Sequence, residues 1–272
     1  MNPPIAIILV ASEKNCDAPR FWVTYTIVKK KGETKRQHYV PQFVLRNFSE
    51  DESNVGVLVL SNGKIIPGGP IKTQAYEDYF YGADQILEKA FAEGETDISA
   101  RLGGLSDEDL NGLSNEDLLQ VASFVHFQLF RTKAAVEQAN NMVTAMSQRL
   151  LREATIENGA RVADDVTRTL RVSYNDGPAN SILMATRLLP VTQDLEIRFL
   201  RNRHRQNFVI GDHPVVLYNQ FAEHHTVLRN RGAATGLAAK GLQLLMPLSP
   251  TVCVMALCAI TRSSTNQAAV RQ

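Results

Sequence analysis

Cysteine is scarce in this chain, with three residues at positions 16, 253 and 258. They are too few and wrongly spaced for a zinc site, and an odd count argues against a disulfide framework. A reducing cytoplasm is the expected compartment. An excess of one charge is also missing: 29 Lys and Arg against 28 Asp and Glu leave a formal net charge of +1. Nothing global therefore draws the chain to nucleic acid, and such a partner would have to be met by a local basic patch. Long apolar runs are absent too. The longest early one, Ile5 to Ala11, falls far short of the roughly 20 residues of a membrane span, and Met1 to Pro4 carries no basic side chain that would open a secretory signal. No membrane partner is expected.

Several catalytic devices are missing as well. The chain has no P-loop, no dinucleotide-binding glycine fingerprint between strand and helix, and no HExxH helix. It also lacks a GxSxG serine elbow. The six histidines, at 38, 126, 204, 213, 224 and 225, form no local metal motif. His224 and His225 are adjacent, so on regular structure their side chains diverge.

What is present is an ordinary globular composition, 44% hydrophobic and 21% charged over 272 residues, which suits one large domain. Early strands, central helices and late strands predict an α+β fold with a mostly antiparallel C-terminal sheet. At the start, alternation over Phe21 to Val28 reads as a strand, with a second apolar stretch at Ile5 to Val10. Val55 to Leu60, the Ser61-Asn62-Gly63 turn and Lys64 to Ile66 predict a hairpin, because Asn-Gly supplies the positive φ of a tight turn. Ser114 and Asp117 resemble a capping pair that opens a long helix, carried by Leu118, Val121, Ala122, Val125 and Leu129 and continuing through about Glu157. A further helix should start after Asp176-Gly177-Pro178 and stop at Pro190. Strands are expected over Leu195 to Phe199, Asn207 to Ile210, Val215 to Tyr218, Leu242 to Met246 and Val252 to Leu257.

The stretch from Gln37 to Ser49, QHYVPQFVLRNFS, carries the most information. Pro41 fixes its own φ and biases Val40 toward an extended conformation, so the chain should run extended into a short helix with Pro41 in its first turn. His38 and Gln42 would then sit near a helix N-terminus, where backbone N–H groups attract anions. Two other positions could join them. Asp212 follows an apolar stretch and Gly211, and could serve as a base or metal ligand at a strand end, or merely close a turn. Arg131 could offer a rigid fork to a phosphate or carboxylate, or be spent on an internal ion pair with Asp212 or Glu88. Gln128, Arg131 and Thr132 are neighbours at i, i+3 and i+4, off the apolar stripe. His126, on the same helix, is expected at the surface or its boundary. The cluster Arg201, Arg203, His204 and Arg205 could hold phosphates without reading bases, or be a solvated hairpin tip.

Four segments in order give the chain a family likeness: Gln37 to Gln42 with Leu45 to Phe48, then Gln128 to Thr132, then Phe208 to Val215, then Pro247 to Pro250. In these it resembles the bacterial "domain of unknown function 4238" family, over roughly residues 35 to 257. Chains of that family often begin near the QHYVP segment and run on past the PLSP strand. The resemblance therefore implies an N-terminal extension over residues 1–34, a single domain over 35–272, and a final helix that is shortened or lost. It implies no activity.

Two functions are compatible with these residues. In one, the protein is a nuclease-like phosphodiester hydrolase acting on nucleic acid. His38 would be its acid or base, Arg131 would stabilise phosphate charge, and Asp212 would be a partner or the ligand of a divalent metal. Gln42, Gln128, Arg201, Arg203 and Arg205 would bind substrate. In the other, the protein is a non-catalytic binding or regulatory module whose polar motifs satisfy buried backbone groups.

Overall fold

The computed structural model describes residues 34–157, 164–219, 221 and 236–258. The strand expected at 21–28, the apolar stretch at 5–10, Cys16 and the His224-His225 pair lie outside these residues. Within them the fold is α+β. Two small strand pairs come first, helices fill the middle, and an antiparallel sheet closes the chain.

Strand β1 (Arg36–His38) pairs antiparallel with β4 (Tyr76–Asp78), with His38 opposite Tyr76. Pro41, at φ −59° and ψ 137°, stays extended and caps the short helix α1 (Gln42–Arg46), one position earlier than a first-turn proline would sit. Strands β2 (Asn54–Val59) and β3 (Lys64–Pro70) form the expected hairpin. Gly63 takes φ 69° at its tip, and the Asn62 side-chain oxygen accepts the Lys64 N–H at 3.0 Å.

Helices α2 (Ile86–Leu102), α3 (Asp107–Asn111), α4 (Asn115–Phe130), α5 (Lys133–Glu157), α6 (Asp164–Thr169) and α7 (Gly177–Thr192) follow. The last sheet contains β5 (Leu195–Arg201), β6 (Val216–Asn219), β7 (Leu242–Pro247) and β8 (Val252–Cys258), in the order β5-β8-β7-β6. Val121, Val125 and Leu129 of α4 enter one core with Leu195, Leu244, Met246 and Val254 of this sheet. Val44 of α1 belongs to that core, while its neighbour Leu45 joins a smaller one with Tyr39, Val40, Ile71 and Tyr81. Helix α1 thus ties the QHYVPQ stretch to both.

The capping pair forms as the sequence predicts. Ser114 Oγ accepts the Asp117 N–H at 3.2 Å, and the Asp117 carboxylate accepts the Ser114 N–H at 2.9 Å. Ser114→Ala should cost about 1 kcal/mol, a drop in melting temperature of roughly 2–4 °C for a chain this size, readable by circular dichroism.

Four local expectations fail. The long central helix breaks at Arg131, where φ −87° and ψ 14° end α4, and Thr132 Oγ1 then accepts the Ala135 N–H at 3.2 Å to start α5. Pro190 lies inside α7 instead of ending it. In the last turn a proline forfeits a single N–H bond, so the helix tolerates it. Residues 207–210 form no strand and join no ladder; Phe208 N–H bonds Pro250 O at 2.9 Å instead. His126 is wholly buried, with Nε2 at 2.8 Å from Ala185 O and Nδ1 at 2.9 Å from Thr192 Oγ1. Helix α4 is covered by α7 as well as by the sheet, so a position off its main stripe is interior too, and burial holds the His126 pKa below its ordinary value.

Candidate functional site

The QHYVPQ stretch is fastened carbonyl by carbonyl. Gln37 is fully buried: its amide N–H donates to Gly82 O at 3.0 Å and its oxygen accepts the Tyr81 N–H at 2.6 Å. Arg131 Nη2 donates to His38 O at 2.8 Å, and Gln128 Nε2 donates to Tyr39 O at 2.8 Å. The i, i+3 spacing of Gln128 and Arg131 at the end of α4 therefore matches two consecutive carbonyls of an extended chain. That is a structural task for both side chains.

Arg131 is 3% exposed and has further partners. Its Nη1 pairs with Glu95 at 2.7 Å and its Nε donates to Tyr81 Oη at 3.0 Å. Its guanidinium also lies 4.1 Å from the centre of the Phe91 ring. Burial pushes the Tyr81 phenol up to about 12, so the hydroxyl stays neutral and donates back to Arg131 O at 3.2 Å. The internal ion pair is thus made with Glu95, and not with Asp212 or Glu88. Glu95 stands two helical turns after Glu88 on α2, which puts both on one face.

Around this anchor lies a cavity of about 550 Å³ whose walls include His38, Gln42, Arg46, Glu88, Glu95 and Arg131. His38 reaches it from the end of β1, held against the Tyr76 ring at 5.8 Å between centroids. Gln42 Nε2 lies 3.3 Å from His38 Nδ1 and donates to it, which leaves the ring proton of the neutral imidazole on Nε2. Nε2 is covered and has no partner of good hydrogen-bond geometry among the described residues. Burial lowers the His38 pKa, partly offset by the backbone of Lys72, so the ring is neutral at pH 7. Glu88 moves the other way. Burial raises its carboxyl to about 7 against the pull of Arg131, with Glu95 adding repulsion. A neutral imidazole and a half-protonated carboxyl thus share one solvent-reachable space, alongside the exposed guanidinium of Arg46. Such a pair can accept one proton and donate another.

The remaining candidates lie elsewhere. Asp212 is exposed in a bend and does not line this cavity; its charge acts on Lys133 and Tyr39. Its neighbour His213 docks the segment instead, with Nδ1 at 2.6 Å from the buried Thr132 Oγ1. Arg201 is held by Asp107 at 2.7 Å and by Leu105 O, whereas Arg203 and Arg205 are exposed. Sequence reasoning named Glu88 only as an ion-pair partner and missed Glu95. Their shared helical face was the available signal. Among the described residues, no group of three or more His, Cys, Asp or Glu side chains is placed to hold a metal ion.

The fold and the cavity define an α+β protein with a polar cleft built where its QHYVPQ strand and helix α2 meet the end of α4. The chain belongs to the family described as "Protein of unknown function (DUF4238)", whose model matches residues 36–269. No curated protein and no solved structure matches it.

Proposed function

We propose that the protein is a hydrolase acting on phosphodiesters of nucleic acid, with His38 and Glu88 as its proton-transfer pair. The observation that carries this reading is the placing of the two groups, shifted toward neutrality from opposite sides, on one cavity. His38 Nδ1, released from its long contact with Gln42, takes a proton from water as the water oxygen bonds to phosphorus. Glu88 gives its proton to the leaving ester oxygen as the P–O bond breaks. Arg46 offers charge to the phosphate. Arg131 is a positioning residue, since its N–H groups are engaged with the protein. Asp212 has no part in this scheme, and exposed Arg203 and Arg205 are available for distant phosphates. The buried thiol of Cys253, in no disulfide, favours a reducing cytoplasm. Among the described residues, no helix is long and apolar enough to cross a membrane.

The test is cleavage of end-labelled single-stranded RNA and DNA, with and without Mg²⁺ or Mn²⁺. Activity that survives in the His38→Ala, Glu88→Gln double variant overturns the assignment. The pH profile should be bell-shaped. Activity rises as His38 loses its proton, below its ordinary value of 6.5, and falls as Glu88 loses its own near pH 7. A profile that climbs without a turn to pH 9 contradicts Glu88 as the acid.

A second reading, a non-catalytic binding module, has its own support. Gln37, Gln128 and Arg131 all bond backbone groups and none is exposed. It predicts binding without turnover of any substrate in the same cavity.

A further inference from the structure

Helix α2 stands between two spaces of opposite character. Its Glu88 and Ala92 side faces the polar cavity, and its Leu87 and Ile98 side faces a groove of about 410 Å³. The groove is walled by Leu87, Phe91, Ile98, Phe124, Phe127 and Ile182. The Phe91 and Phe127 rings meet edge to face at 6.4 Å. Its charged lining consists of Glu95, Asp97 and Arg131. Arg131 is already taken by Glu95, and Asp97 has no ion-pair partner among the described residues. Gly94 lies on the groove's edge within α2, and a Cβ added there meets nothing within 4 Å.

We propose that this groove is a binding site for a flat apolar cation, an aromatic ring carrying a protonated amine. Volume and walls suit one fused ring system, which the phenyl rings of Phe124 and Phe127 would contact by edge or face. Charge decides the head group. An anion would have to displace Glu95 from a guanidinium that is 3% exposed, whereas an ammonium meets Asp97, with no ion-pair partner among the described residues, and the open side of Glu95 at the rim. This proposal stands independently of the hydrolase reading.

Calorimetric titration of the full chain at pH 7 tests it with three probes of one shape: 2-naphthylmethylamine, 2-naphthylmethanol and 2-naphthylacetate. The amine should bind roughly tenfold tighter than the alcohol or the acid. Asp97→Asn should weaken the amine roughly threefold and leave the alcohol unchanged. Gly94→Leu, at the groove's edge where an added Cβ meets nothing within 4 Å, should weaken amine binding without lowering the melting temperature. The proposal is overturned if the amine shows no saturable binding, if the acid or alcohol binds as tightly, or if neither variant changes amine affinity. Should Gly94→Leu lower the melting temperature, the Asp97→Asn comparison decides alone.

Discussion

Arg131→Ala should destabilise the fold by about 3 kcal/mol or more, the scale for removing one partner of a buried ion pair. The loss has separable parts. His38 O and Tyr81 Oη each lose a charged donor inside the protein, which costs more than a neutral hydrogen bond. The Phe91 ring loses the guanidinium stacked 4.1 Å from its centre. Glu95, about a quarter exposed, recovers part of its cost through water. Arg131→Lys should fall between wild type and alanine, because an ammonium cannot hold the Glu95, Tyr81 and His38 acceptors in one plane. Urea denaturation followed by circular dichroism measures both. Arg203→Ala, at an exposed position, should stay within about 0.5 kcal/mol of wild type. An Arg131→Ala loss of similar size would mean that the guanidinium is not the anchor of the QHYVPQ stretch.

How much of this was readable beforehand follows from the range of the forces involved. The Asn62-Gly63 turn, the Ser114-Asp117 cap and the apolar runs of β5, β7 and β8 are local patterns, and each element formed as expected. The break between α4 and α5 was hidden because apolar and helix-favouring residues continue through it. What ends α4 is tertiary: Arg131 and Thr132 are drawn to His38 O and His213. The same contacts explain why Asp212 stands apart from the cavity. The GDHP segment bends at Asp212 and His213; the histidine docks on Thr132 while the aspartate is exposed to solvent. For the cavity, the sequence named His38 and Arg131 together, but their meeting depends on a long-range match between Gln128-x-x-Arg131 and two backbone carbonyls. Glu95 escaped notice for a plainer reason. An acidic residue on a polar helix carries no mark of its partner until the fold supplies the cation.

His38→Ala and Glu88→Gln should each lower kcat/KM by roughly 10²- to 10⁴-fold, the usual contribution of a positioned acid or base. The double variant should be little worse than either alone if the two act in one step. Stability separates this outcome from damage to the fold. Glu88 holds its proton more tightly when folded, at about 7 against an ordinary 4.5. Its ionisation therefore works against the native state, and the penalty grows as pH rises from about 4.5 to 7 and is complete above that. Glutamine removes the penalty. Glu88→Gln should melt no lower than wild type at pH 8, with its advantage vanishing below about pH 4.5. A variant that loses activity while keeping or gaining stability marks Glu88 as a working group held against its own folding preference, as expected of functional carboxyls. If Glu88→Gln instead melts well below wild type at pH 8, its charge supports the fold, and the cavity belongs to the architecture of the QHYVPQ anchor.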